Sequence, residues 1–220
     1  MSPLRVVVAG GGVAAMEAIL ALRELAGERV ELTMLAPEST FAYRPMAVAV
    51  PFARGRVQRL PLAEFARETS TRLVRGSLTG VATGHAISSP GPALPHDALL
   101  VAVGARPGPA IPGALRFTGR NAPALHAALE GLGPRPRVLF TTGAGVGWTL
   151  PLYELALLAA ARHPGASIAV VTPEPRPAAV FGPVASREVA HRLAEAGVEL
   201  RAGHVPEAFE DGRLWLAEGG

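Results

Sequence analysis

An unbroken apolar run that ends in three glycines and passes straight into a helical pattern is the feature that most limits how this chain can fold. Val6, Val7 and Val8 lie in the run 5–9, and a run without polar alternation suits a strand buried on both faces of a parallel sheet. Gly10, Gly11 and Gly12 follow at once. Residues 13–25 then read as a helix, with Met16, Ile19 and Leu20 inward and Glu17, Arg23 and Glu24 outward. Gly27 ends that helix, and residues 30–35 give the next strand. Strand, glycine turn, helix and strand make a βαβ unit, whose crossover is almost always right-handed.

The design returns later in the chain. Residues 138–141 read as a strand, Gly143 to Gly147 as a glycine-rich turn, 151–162 as a helix and 167–171 as a strand. The two units even end alike, in Leu35-Ala36-Pro37-Glu38 and Val171-Thr172-Pro173-Glu174. The expected fold class is therefore α/β, with two Rossmann-like βαβ units in mainly parallel sheets. The Pro- and Gly-rich stretch 105–113 is the best linker. It suggests a first domain over 1–115 and a second over 116–220. Between the two units the signal is mixed: prolines interrupt 36–75, with a short helix at 61–69, and 72–84 reads as a pair of strands with a Gly-containing turn. Residues 98–103 form another apolar strand closed by Gly104, and 121–132 a helix. Further on, 186–196 is expected to be helical and 198–202 a strand. Glu210-Asp211-Gly212 reads as a hairpin turn before 214–216, and a partner strand is expected where the sequence reads Glu218-Gly219-Gly220.

The first turn, Gly10-Gly11-Gly12-Val13-Ala14-Ala15, fits a dinucleotide site position by position. Gly10 permits a sharp turn, Gly12 leaves room for a pyrophosphate at the helix tip, and Ala15 allows close packing of helix on strand. Free N–H groups and the helix dipole favour the diphosphate. An acid near the end of the second strand commonly holds the ribose; here it is Glu38, two residues past Ala36.

Composition excludes more than it assigns. The 220 residues contain no cysteine, which removes disulfides and thiol redox chemistry. No lysine is present, and the arginines are spread between Arg5 and Arg213 rather than clustered. With a net charge of +3, nucleic-acid binding is not expected. The longest apolar helical stretch, 152–161, is too short to span a bilayer and contains Glu154. No signal peptide is visible at the start, so a cytoplasmic protein is expected. The histidines are isolated, with no metal-binding pair, and no serine sits in a nucleophile elbow.

At this point residues 5–52 resemble the FAD/NAD(P)H-dependent pyridine nucleotide oxidoreductases, on the branch of type II NADH dehydrogenases and sulfide:quinone reductases. Three other stretches carry the resemblance: Phe41-Ala-Tyr43-Arg44-Pro45, Asp97 to Ala105, and Leu150-Pro-Leu-Tyr153-Glu154. It implies FAD in the first domain and NAD(P)H docking in the second, with electrons passing through the flavin to an acceptor such as a quinone. By position, Gly10, Gly12, Val13 and Ala15 would hold the FAD pyrophosphate and Glu38 the ribose. Arg44 would face the pyrophosphate or flavin, or stand as a surface charge. The backbone at Leu78 would meet the adenine, and Gly104 would let the chain pass the cofactor. In the second unit Gly143 and Gly145 would form the turn and Glu174 would take the ribose. Glu154 is the catalytic candidate, a proton carrier if partly buried and otherwise an exposed helix charge. The implied partners are a small-molecule electron donor and acceptor, and a homodimer stays open.

The sequence departs from that pattern in four ways. Trp148 stands where the second turn should have its third small residue. The lack of cysteine rules out persulfide and disulfide chemistry. Val103 replaces a usual threonine. Nothing after Val198 resembles the return to the FAD domain with its Gly-Asp motif, so the chain reads as truncated relative to the family. Two other readings remain: a degenerate homologue that binds a nucleotide or a partner protein without turnover, and a plain NAD(P)-dependent dehydrogenase.

Overall fold

Leu4 to Ala9 form β1, and its last four residues have no exposed side chain to present to water. They must therefore be covered on both faces, and the rest of the first half is built around them. A computed structural model describes residues 2–105 and 108–217. The chain divides into two compact units: Met1–Tyr43 with Gln58–Arg106, and Arg44–Val57 with Pro107–Gly220.

In the first unit, β1 (Leu4–Ala9) is followed by α1 (Val13–Ala26), β2 (Val30–Ala36), β3 (Thr40–Ala42) and β4 (Arg59–Pro61). Then come α2 (Leu62–Glu68), β5 (Arg72–Arg75), β6 (Ser77–Ala82), β7 (His85–Ser89), β8 (Leu94–Pro95) and β9 (Ala98–Val101). The main sheet is parallel, in the order β5-β2-β1-β9. One face of it packs on α1 and α2 through Val6, Val8, Ala15, Ile19, Leu32, Met34 and Leu62. The other face meets the small antiparallel sheet β6-β7-β8 through Val7, Ala9, Leu35, Ala86 and Leu94. Among the described residues β9 is an edge strand, with exposed Leu100 and Val101, and Val103 just beyond it is exposed too.

Three details differ from the sequence reading. Leu20 of α1 is exposed, and the helix is anchored instead by Ala15 and Ile19, with Met16 and Leu22 against the same core. Arg23 is not a solvent charge: its guanidinium donates to the carbonyls of Gly27, Val30, Thr69 and Ser70. It thereby satisfies carbonyls at the C-terminal end of α1 and beyond α2. The strands in 72–84 do not pair with each other. Gly76, at φ 159°, breaks the run, so that β5 joins β2 in the parallel sheet while β6 turns at Gly84 into a hairpin with β7.

The second unit opens with a 3₁₀ segment, Arg44–Phe52. After 107 it contains α3 (Ala122–Glu130), β10 (Arg137–Thr141), α4 (Leu150–Arg162), β11 (Ser167–Thr172), α5 (Gly182–Glu195), β12 (Glu199–Ala202), β13 (Pro206–Glu210) and β14 (Arg213–Leu216). A parallel sheet β10-β11-β12 carries α4 and α5, and β13-β14 is an antiparallel hairpin. Asp211 and Gly212 both have positive φ at its tip, the conformation of the tightest hairpin turns. The core joins Leu129, Phe140, Leu152, Tyr153, Leu155, Ile168, Val170 and Leu193 to Val48 and Phe52 of the 3₁₀ segment. α5 starts four residues before its expected position, because Pro183 falls in the first turn, where its missing N–H leaves no bond unmade. Arg106 and Pro107 of the expected linker, and Glu218 to Gly220, where another strand was expected, lie outside the described residues.

Candidate functional site

The first glycine turn lies at the C-terminal end of the parallel sheet, where β1 hands over to α1. Gly10 is buried at φ 141°, and its N–H donates to Leu35 O at 2.8 Å. A Cβ built there would come within 2.1 Å of Ala102 O. Its bareness therefore serves the close passage of the chain beyond β9, as well as the turn. Gly11 has no assigned part in the motif, yet a Cβ there would lie 2.8 Å from Leu62 Cδ1 and 3.0 Å from Ala36 Cβ. α2 docks against that gap, and nothing local in the sequence signals it.

Gly12 is different. A Cβ there would meet nothing within 4 Å. Gly12 caps α1 in extended conformation, with no side-chain hydrogen bond to the helix tip and no acid in the first turn. The first N–H groups of α1 therefore open onto free space, with Val13 exposed beside them and Ala15 fully buried under the helix. An uncapped helix tip over open space has the geometry of an anion site, and a pyrophosphate fits it.

Other expected positions are spread around the first unit. Glu38 is exposed in the loop between β2 and β3. Leu78, in β6, packs against the core that holds Leu35 and Ala86. Gly104 has φ 74°, with open space where a side chain would point. Arg44 is exposed at the start of the 3₁₀ segment and belongs to the second unit.

In the second glycine turn, Gly143, Gly145 and Gly147 also have open space around them, and Gly145 lies at φ 76°. Trp148 follows, 62 % exposed, and meets the Phe181 ring edge-on at 5.1 Å. Glu174 has both carboxylate oxygens engaged inside the protein. Tyr153 OH donates to Oε2 at 2.5 Å, and the Ala179 N–H donates to Oε1 at 2.9 Å. Tyr153 is buried; burial first, then the bond to Glu174, push its phenol up to about 12. This clasp from α4 to the loop after β11 was not foreseen, and it puts Glu174 to structural use where a ribose partner would have to stand. With Trp148 at the turn and Glu174 tied, the residues of this unit do not fit NAD(P)H in the usual manner.

Glu154, the next residue along α4, is half-buried and makes no hydrogen bond or ion pair among the described residues. Burial raises its carboxyl above the ordinary value. Elsewhere, Asp97 accepts the backbone N–H, Nε and Nη2 of Arg5, which holds its carboxyl down at about 2 and ties the approach to β9 to β1. Among the described residues no group of three His, Asp or Glu side chains could hold a metal ion, and no helix is long and apolar enough to cross a membrane.

Solved structures share this fold. The sulfide:quinone oxidoreductase from the hyperthermophilic bacterium Aquifex aeolicus matches with a TM-score of 0.82 at 20 % identity, over 97 % of this chain and 56 % of that one. A ferredoxin reductase from Rhodopseudomonas palustris matches with a TM-score of 0.71 at 22 % identity, over 98 % and 55 %. The water-forming NADH oxidase from Lactobacillus brevis gives 0.66 at 16 %, over 98 % and 51 %. At these identities the likeness is one of fold, and the chain spans about half the length of each structure. No curated protein matches it. The sequence model described as pyridine nucleotide-disulphide oxidoreductase matches residues 4–214, and by that match this chain belongs to the pyridine nucleotide-disulphide oxidoreductase family.

Proposed function

We propose that the chain is the dinucleotide-binding part of an FAD-dependent oxidoreductase that passes electrons from a donor to an acceptor such as a quinone. The observation that carries this reading is the bare tip of α1: Gly12 faces open space and no side chain caps the first turn. The bound flavin would supply the two-electron chemistry. The protein's part is to hold and orient it. The N–H groups following Gly12, with Val13 and Ala15, would bind the pyrophosphate, and Glu38 would take the ribose. The backbone at Leu78 would meet the adenine, and Gly104 would let the chain pass close to the cofactor. Glu154 would hold a proton at its raised carboxyl and move it as electrons arrive.

Family membership supports flavin over a plain dehydrogenase. The engaged Glu174 and the exposed Trp148 favour a donor other than NAD(P)H at Gly143 and Gly145. The division of labour would follow the two units, with FAD on the first. A cytoplasmic location and a homodimer belong to the same proposal.

Gly12→Val tests the reading. The wild-type chain is expected to purify yellow or to take up added FAD. The variant is expected to fold, because the new side chain enters empty space, and to hold none. A variant that keeps flavin would show that the diphosphate sits elsewhere. A folded wild-type chain that takes up no FAD would favour the homologue without turnover.

A further inference from the structure

The loop between β2 and β3 carries Glu38 between Pro37 and Ser39, and all three residues are exposed. No buried side chain anchors it, so its place depends on polar contacts. Three hydrogen bonds from elsewhere in the first unit reach the loop and its ends. The Gly76 N–H donates to Ala36 O at 3.2 Å, and the Leu62 N–H donates to Ser39 O at 3.0 Å. The third comes from a side chain: Arg75 Nη2 donates to Pro37 O at 2.5 Å.

The backbone of Arg75 is itself fixed. It stands at the end of β5, opposite Ala36 in the parallel ladder. Gly76 follows at φ 159°, and a Cβ there would lie 2.5 Å from Pro90 O, so the chain passes hard against the turn between β7 and β8. Among the described residues Arg75 forms no ion pair. Its charged donor makes a stronger bond than a neutral one, and that bond lands on the residue just before Glu38. The choice of carbonyl matters. A proline ring fixes φ but leaves ψ free, and ψ of Pro37 is what turns this carbonyl. Holding it fixes the peptide plane that enters Glu38.

We infer that Arg75 is a positioning residue for the adenosine end of the site: by holding the Pro37 carbonyl it sets the direction in which Glu38 leaves the chain toward a nucleotide's ribose. The inference rests on the flavin reading, which assigns the ribose to Glu38. Arg75 acts through the loop and need not touch the cofactor. A carboxylate meets ribose hydroxyls only within about 2.5–3.0 Å, so a loop that shifts by roughly an ångström loses the contact.

The test needs no turnover. Hydrogen exchange of the full chain without nucleotide follows the Leu62 amide, which is protected while Ser39 is in place. Arg75→Gln is expected to speed its exchange about tenfold while amides inside α1 keep theirs. Arg75→Lys, which retains a charged donor, is expected to restore most of the protection. Affinity for FAD, by flavin fluorescence, and for ADP, by calorimetry, is expected to fall about tenfold in Arg75→Gln. Adding that substitution to Glu38→Gln should weaken neither further, because both act on one contact. Unchanged Leu62 exchange in Arg75→Gln overturns the proposal whether or not FAD binds. So does an affinity that ignores Arg75→Gln, or a loss that adds in full to that of Glu38→Gln and so has Arg75 meeting the nucleotide directly. A wild-type chain that binds neither nucleotide brings down the flavin reading and this one with it, and the exchange result then still tells whether Arg75 holds the loop.

Discussion

Replacing Tyr153 by Phe should change where on the pH scale this protein loses stability. The ring is 1 % exposed, and its hydroxyl donates to Glu174 at 2.5 Å. Burial, then that bond, raise the phenol from 10.0 to about 12. A group that holds its proton more tightly when folded contributes fully below its unfolded value, and the contribution is lost as pH rises from about 10 through about 12. Two pKa units correspond to about 2.7 kcal/mol. Screening at the half-buried Glu174 end reduces this to about 2 kcal/mol, or roughly 4–8 °C of melting temperature for a chain of this size. Composition isolates the effect. The chain has no lysine, no cysteine and two tyrosines, and its arginines stay charged. Ionisation of Tyr153 is therefore little masked by other side chains between roughly pH 10 and 12. Near neutrality Tyr153→Phe loses a charge-assisted bond and is expected to be about 1.5–3 kcal/mol less stable. Its alkaline decline is flattened, so the two stability curves converge as pH climbs. Urea unfolding followed by circular dichroism at successive alkaline pH values, with tyrosinate absorbance in parallel, measures this. A variant that keeps the full alkaline decline, or a folded protein in which Tyr153 ionises near the ordinary value, would refute the reasoning.

Gly10→Ala should destabilise the first unit by about 3 kcal/mol or more, since its Cβ meets the Ala102 carbonyl at 2.1 Å and its φ is 141°. Gly12→Ala should cost less than about 1 kcal/mol, and equal denaturation midpoints for the two would contradict the backbone crossing described. Asp97→Asn should lessen the acid sensitivity of the fold. The stability that Asp97 contributes is present above its ordinary value of 3.8 and disappears as pH falls through about 2; an unchanged acid-unfolding profile would show the Arg5 pair to be silent. Glu154→Gln should remove a step lying above the ordinary carboxylate range from the pH profile of acceptor reduction, and an unaltered profile would take Glu154 out of the proton path.

Much of the first βαβ unit can be read directly from its residues, because an apolar run, a glycine turn and an amphipathic helix are all local signals. The limits appear where one residue answers to another far along the chain. Gly10 reads as a turn glycine, but the carbonyl of Ala102 is what forbids a side chain there. Gly11 carries no signal at all until Leu62 is seen against it. Glu174 sits at the strand end where its acid was expected, yet a tyrosine 21 residues earlier holds it. Arg23 follows the helical period of solvent charges, but four carbonyls around the end of α1 draw it in. Residues 44–52 gave only proline interruptions, since a 3₁₀ segment buried by Val48 and Phe52 has no long period to detect.

The outer margin of β9 has a consequence for the molecule in concentrated solution. A strand bonded on one side only among the described residues, with Leu100 and Val101 turned to water, offers main-chain donors and acceptors in register beside a greasy surface. Neither lysine nor proline guards that row, and such guards are what commonly keep sheets from joining. Crowding should therefore drive copies together edge to edge, with a dependence on protein concentration that added urea weakens before the fold itself gives way.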